Sequence, residues 1–348
     1  MSIPSEPIGS IPRSPELLAA LANADSRTWT EVLDRAVRDT IATLEAAGEQ
    51  VVTDGEQAKI DAWTYPVYGA DNLAPDSVVI PYADGHQRGL PRLTAGPIRY
   101  RTYADQYVRT AVKYAKVPVK QAVVAPSTLS LLYPPQGVDG YSRDAFVKDV
   151  LNEAEKEVRG CLEAGAQKVQ LDFEEARLSL KLDPSGGLLK DFIDLNDQLL
   201  QRFAENERDR IGVHCGVGAD QDSTHSLDVD CAELLPQLFR LQVGNYYLPL
   251  ACEPDPDRVL GLIAEQLRPG IRVFVGVTDP IDPQVETVEQ VRDRVLSAAR
   301  HIPLDQLGTC DDAGFSPYAD DPSTSRALAF AKIRARVEGT AQAAQLLT

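Results

Sequence analysis

His214 and Cys215 close a short apolar run, Ile211-Gly-Val-His214. Imidazole and thiolate are the usual ligands of zinc, and tetrahedral sites collect them from several elements. Glu253 and Cys310 also stand at the ends of such runs, so His214, Glu253, Cys310 and Cys215 form the candidate metal set. None of the compact C-x-x-C or H-x-x-x-H spacings of a preformed zinc motif is present. Asp172 ends the run Lys168-Val-Gln-Leu-Asp172, where a carboxylate can bind a ligand ammonium or act as a general base. Glu174 and Glu175, just beyond it, read equally as part of that candidate or as an acidic loop in water. Glu56, in Thr53-Asp-Gly-Glu56, is a further binding candidate. Arg13 lies in Gly9-Ser-Ile-Pro-Arg13, ahead of a helix expected to begin near Pro15. Backbone amides at such a start, with a guanidinium beside them, suit an anionic group. His86 and His225 fall in polar loops and read as solvated. No G-x-S-x-G elbow occurs, so serine-hydrolase chemistry lacks its motif.

These residues need elements to bring them together. Val147, Val150, Leu151, Ala154, Val158 and Cys161 recur at helical spacing between Ser142 and Gly165. The run at 168–172 follows as a strand, then a helix over about 187–204 and the strand 211–214. The pattern repeats through a helix near 232–241, a strand at 245–251, a helix at 256–267 and a strand at 271–277. Thr287 and Gln290 form a capping box for the next helix. A strand at 307–310 and a helix from Ser325 complete the series. Short apolar strands alternating with helices predict a parallel sheet covered on its faces. The polar residues gather at strand C-terminal ends, as in barrel enzymes. The expected fold is therefore one (β/α)8 TIM barrel spanning 1–348, with an N-terminal extension. Residues 61–116 read as a Tyr-rich insertion holding seven of the twelve tyrosines, either a cap over the mouth or a packed surface extension.

The chain has 348 residues, 35 basic against 52 acidic, for a net charge of −17. That surface repels phosphate backbones and anionic lipid, so neither nucleic acid nor membrane is an expected partner, and a small-molecule substrate is. No run is long and apolar enough to span a bilayer. Five scattered cysteines, and no basic-then-apolar leader, point to a reducing cytoplasm. The oligomeric state is not legible.

Taken in order, several segments resemble the catalytic domain of cobalamin-independent methionine synthase. They are Ile8-Gly-Ser-Ile-Pro12, Gly55-Glu56, Gln170-Leu-Asp172, the His214 strand end, Glu253, Gly276-Val-Thr-Asp279 and Asp312-Ala-Gly314. Phrases such as Gly314-Phe-Ser-Pro317 and Phe330-Ala-Lys-Ile-Arg-Ala-Arg-Val-Glu338 match the stand-alone single-barrel branch. The resemblance implies a zinc ion held by His, Cys, Glu and a second Cys, which activates the thiol of homocysteine toward a methyl donor. It implies that Ser10, Glu56 and Asp172 hold the amino-acid part of a thiol substrate. Arg13, Tyr247 and Asp312 join them as substrate-binding candidates, and His214, Asp172 and Asp279 are the catalytic candidates. A chain of this length has no room for a second barrel, so a smaller donor or a protein-bound methyl carrier is as plausible as a polyglutamyl folate.

Two departures stand against that pattern. Where the family reads H-x-C, this chain reads His214-Cys215-Gly216, and where it reads D-C-G, it reads Asp312-Ala313-Gly314. A one-residue shift on a strand turns a side chain to the opposite face. The histidine of a G-V-x-D-x-H loop is also absent. Either the metal site is rebuilt around Cys310 and Cys215, or zinc is gone and His214 serves a lyase, hydrolase or isomerase on a small natural-product-like substrate. A catalytically silent binding protein is a third reading. The principal expectation is a transferase moving a methyl or alkyl group to a small thiol or related nucleophile.

Overall fold

The computed structural model describes residues 2–21, 27–76, 78–218, 224–320 and 323–347. Strands are numbered here in chain order. Four short ones lie in the insertion: β1 (Leu73–Ala74), β2 (Val79–Pro81), β3 (Gln87–Gly89) and β4 (Arg92–Leu93). The other six are β5 (Lys120–Val124), β6 (Lys168–Asp172), β7 (Ile211–His214), β8 (Asn245–Leu248), β9 (Arg272–Thr278) and β10 (Leu307–Asp311). These six pair in parallel, each with its neighbour in sequence, and helices make the returns. Consecutive parallel strands require such crossovers.

Single parallel bridges extend the sheet at both edges, Ser5 to Thr309 beside β10 and Val52 to Val119 just before β5. The two flanking segments also touch each other. Ile11 N–H donates to Gly55 O at 3.0 Å, and Thr53 Oγ1 donates to Gly9 O at 2.9 Å. The fold is thus α/β, built on a six-stranded parallel sheet where eight full strands were expected.

The period of two sorts the strand side chains. Val123, Val169, Leu171, Val213, Tyr246, Val273, Val275 and Leu307 join the large core shared with the helices. The opposite face carries Lys120, Gln170, Asp172, His214, Tyr247, Phe274 and Cys310. There Tyr247 stacks on Phe274 at 4.6 Å, and both pack with Ile8 and Cys310. Buried charge on this face is paired. Glu6 takes Lys168 at 2.6 Å and Tyr247 OH at 2.6 Å, and Lys120 reaches Gln170 Oε1 at 2.8 Å.

Helix caps follow the sequence. Ser142 Oγ accepts from Ala145 N at the start of Arg143–Glu163, and the Thr287–Gln290 box closes in both directions. The helix Arg326–Leu346 presents Arg336 to Glu49, to Asp311 at 2.9 Å and to Ser5 at 2.6 Å, all buried. That contact ties the last helix to the sheet and to the N-terminal segment.

The insertion packs on the helix Arg143–Glu163. Glu157 Oε1 accepts from Tyr65 OH at 2.7 Å and from Ala104 N at 3.0 Å, and Tyr103 donates to Glu153. Most of its tyrosines therefore serve packing. Among the described residues no helix is long and apolar enough to cross a membrane.

Candidate active site

Asp172 and His214 end adjacent strands and are register partners in the β6–β7 ladder. Both side chains rise from the inner face. His214 is buried to 1% exposure. Its Nδ1 lies 2.8 Å from Glu174 Oε1 and 3.5 Å from Asp172 Oδ1, with no aligned hydrogen bond. Its Nε2 lies 3.1 Å from the Asp312 carbonyl. A carbonyl accepts only, so Nε2 carries a proton, and Nδ1 is the atom turned toward the two carboxylates.

Burial works against a charged imidazole here. The Glu174 carboxylate, with Asp172, outweighs it and lifts the His214 pKa to about 10. Asp172 is oriented in turn by Gln170 Nε2, which donates to Oδ1 at 2.7 Å. Among the described residues, Asp172, Glu174 and His214 are the group whose donor atoms converge, all within 4.8 Å of one another.

These three line one pocket. Ser10 and Glu56 line it too, as do Trp63, Tyr82, His225, Ala313 and Tyr318. Glu56 holds a left-handed backbone, φ 53°, next to Gly55 at 71°. For a residue with a Cβ this conformation is costly and persists where the surroundings impose it. Its Oε2 lies 3.3 Å from Lys59 Nζ. Burial raises the Glu56 pKa to about 7, Lys59 opposes the rise, and Asp172 and Asp54 add to it.

Ser10, Glu56, Asp172 and His214 thus meet at one pocket, and other expected residues do not. Arg13 is not open to an anion, because its guanidinium donates to the carbonyls of Ser316 (3.1 Å), Glu56 (2.8 Å) and Lys59. It clamps the N-terminal loop to the Glu56 turn. Tyr247 lies deeper, its hydroxyl on Glu6. Asp312 spends both carboxylate oxygens on the amides of Leu250, Ala251 and Cys252 at 2.7–3.0 Å. What it offers His214 is its backbone carbonyl. Asp279 is half-buried and accepts from Ile281 N at 2.9 Å, away from the pocket lining.

Two residues were not settled as site members by the sequence. Glu174, open there between a site carboxylate and a solvated loop, is only 16% exposed and touches His214. Spacing held a hint, since it lies two residues beyond Asp172, and Gly216 lies two beyond His214. His225, read as solvated, is buried beside Tyr82 at 5.7 Å, and its Nε2 has no hydrogen bond. Burial, with Lys181 and Arg177 nearby, lowers its pKa to about 3, so it is neutral.

The family model for the catalytic domain of cobalamin-independent synthase matches residues 3–335. The chain belongs to this family. Over 350 aligned positions it is 23% identical to a 5-methyltetrahydropteroyltriglutamate–homocysteine methyltransferase of Nitratidesulfovibrio vulgaris strain Hildenborough, covering 97% of this chain and 42% of that protein. The chain spans about two fifths of the length of the curated relatives it matches. A B12-independent methionine synthase from Shewanella sp. W3-18-1, solved with selenomethionine, superposes with a TM-score of 0.79 at 18% identity, over 100% of this chain and 99% of that one. A protein described as a putative vitamin-B12 independent methionine synthase from Listeria monocytogenes gives 0.70 at 17% identity, over 98% of each chain.

A thiolate-rich metal set does not assemble on this member of the cobalamin-independent synthase family. Cys215 faces the large core and lines a separate small cavity with Arg177, Cys231 and Glu253. The one-residue shift has turned it away from His214, as the strand period requires. Glu253 is spent on a buried ion pair with Arg177. Cys310 lies on the inner face but below the pocket, its Sγ directed at Phe274 O at 3.5 Å, and burial pushes its thiol pKa up. His214 is the one member of the expected set that reaches the pocket.

Proposed function

We propose that this chain transfers a methyl group to the sulfur of a small, amino-acid-like thiol bound in the pocket above β6 and β7. The observation that carries the reading is the meeting of Ser10, Glu56, Asp172 and His214 at one pocket in a chain matched by this family over residues 3–335. The Shewanella neighbour, solved with selenomethionine, makes an amino-acid ligand a consistent occupant of such a pocket. On this reading the sheet closes as a (β/α)8 barrel through the Ser5 and Val52 bridges and the Ile11–Gly55 bond, and the pocket is its mouth.

The acceptor's ammonium fits against Glu56, whose left-handed turn aims a buried carboxylate at the pocket, with the Ser10 hydroxyl beside it. Trp63 and Tyr82 exclude water from the reacting centre. The sulfur bonds to the methyl carbon as the donor's bond to that carbon breaks, and the thiol proton leaves with the departing donor. In this family a metal supplies Lewis acidity that favours the thiolate. The donor is a methyl-folate, another small methyl compound or a protein-bound carrier.

The test is an incubation of purified protein with homocysteine, simpler thiols and a panel of methyl donors, read by mass spectrometry. The expected result is a methyl thioether from an amino-acid thiol, lost in His214→Ala. No thioether from any pairing would overturn the reading.

A further inference from the structure

The geometry points to a divalent-cation site made by Asp172, Glu174 and His214, in which the Glu174 carboxylate fills the space of a side chain at position 216. The inference deepens the methyl-transfer reading by assigning the metal's ligands, and it rests on that reading for its role.

Three independent observations carry it. The first is the vacancy at Gly216. A Cβ there would lie 2.9 Å from Glu174 Cδ and 3.0 Å from Oε1, with Oε2 nearer still. A side chain at 216 and the present position of Glu174 exclude each other. At 216 this chain carries no side chain, and a carboxylate from the neighbouring strand end occupies that volume.

The second is Nδ1 of His214. It is buried, has no aligned hydrogen bond, and lies within ion-pair range of both carboxylates, at 2.8 and 3.5 Å, where a bound cation would take the place of its proton. Donor atoms about 2.0–2.2 Å from a tetrahedral ion stand roughly 3.4 Å apart, and these separations bracket that value.

The third is the ring's other nitrogen. Metal-bound histidines commonly donate their second N–H to a carbonyl or carboxylate, which fixes the tautomer. Nε2 does so here to Asp312 O at 3.1 Å. Asp312 is held by three backbone amides, and Gln170 holds Asp172 in the same manner. Asp312 is thus a positioning residue, which acts through His214.

One nitrogen and two carboxylate oxygens suit a borderline or hard first-row divalent ion. The set contains no sulfur. Three protein donors leave coordination positions open toward the cavity, as catalytic sites do. Ala313 lines the same pocket.

The experiment titrates chelator-treated full-length protein with Co²⁺ and records its absorption spectrum, without turnover. One ion per chain is expected, with visible d–d bands and no thiolate-to-cobalt charge-transfer band. Glu174→Gln and His214→Ala should weaken binding at least about tenfold, and Cys310→Ser should not change it. The double variant Gly216→Cys with Glu174→Ala should bind Co²⁺ and gain the charge-transfer band, which shows that a folded site is present. A charge-transfer band in the parent, unchanged affinity in Glu174→Gln, or no stoichiometric binding would overturn the assignment. Binding with these ligands but no thiol methylation would sink the methyl-transfer reading alone. Methyl transfer by a protein that binds no ion would sink the site alone.

Discussion

The carboxylate of Glu174 stands where a side chain on residue 216 would be, and residue 216 is glycine. The two positions lie at the ends of neighbouring strands, after Asp172 and His214, which are register partners. Glycine at 216 is therefore what lets a carboxylate, with its oxygen donors, stand beside His214.

Gly216→Ala tests that exclusion. The added methyl displaces the Glu174 carboxylate, whose flexible end can swing away. The stability cost should fall at or below the roughly 1–3 kcal/mol of an overpacked core. Methyl-transfer rate should drop about 10–100-fold, as when support of a metal site is lost. Paired denaturation and rate measurements check this, and an unchanged rate would contradict it.

Glu56→Gln should discriminate between acceptors. Removing a charged partner of a ligand ammonium costs about 1.5–3 kcal/mol, roughly 10–100-fold. KM for an amino-acid thiol should rise by that factor, while a thiol without an amino group should be little affected. Equal effects on both acceptors would remove Glu56 from ammonium binding.

Stability should depend on pH through Glu157. Burial raises its pKa from 4.5 to about 7, against bonds from Tyr65 and Ala104 that lower it. Between those values the folded protein keeps a proton that the unfolded chain has released. Stability from this group is full below about pH 4.5 and falls as pH rises through about 7. Urea denaturation at about pH 5 and about pH 8 should show the parent losing on the order of 1–3 kcal/mol more than Glu157→Gln. Equal losses would contradict the assignment.

Arg336→Met should be severe and remote from the chemistry. It leaves Glu49 and Asp311 as buried carboxyls without their cation. Breaking such a pair costs about 3–5 kcal/mol. Denaturant midpoints check it, and a loss below about 1 kcal/mol would show that the network is dispensable.

What was legible in the sequence follows from locality. Apolar runs at 168–172 and 211–214 gave strands with Asp172 and His214 at their ends, because strand period and end polarity are local signals. The same period explains why Cys215 turns away. Glu253 was misplaced because its partner, Arg177, is 76 residues away and no local pattern announces an ion pair. His225 sits in a polar stretch, and its burial comes from the insertion, through Tyr82 and the bond from Ala83 N to Thr224 O. Arg13 carries a charge suited to an anion, but three distant carbonyls consume it. The barrel was inferred from alternation and from polar residues at strand ends, whereas beyond the six paired strands the sheet edges carry only single bridges, which leave no pattern in composition.

The most direct measurement is elemental analysis of protein purified without added metal or chelator, beside Glu174→Ala and Cys310→Ser. The account predicts one divalent ion per chain in the parent, retained in Cys310→Ser and lost in Glu174→Ala. An ion that survives Glu174→Ala and disappears in Cys310→Ser, or no ion in the parent, would contradict it.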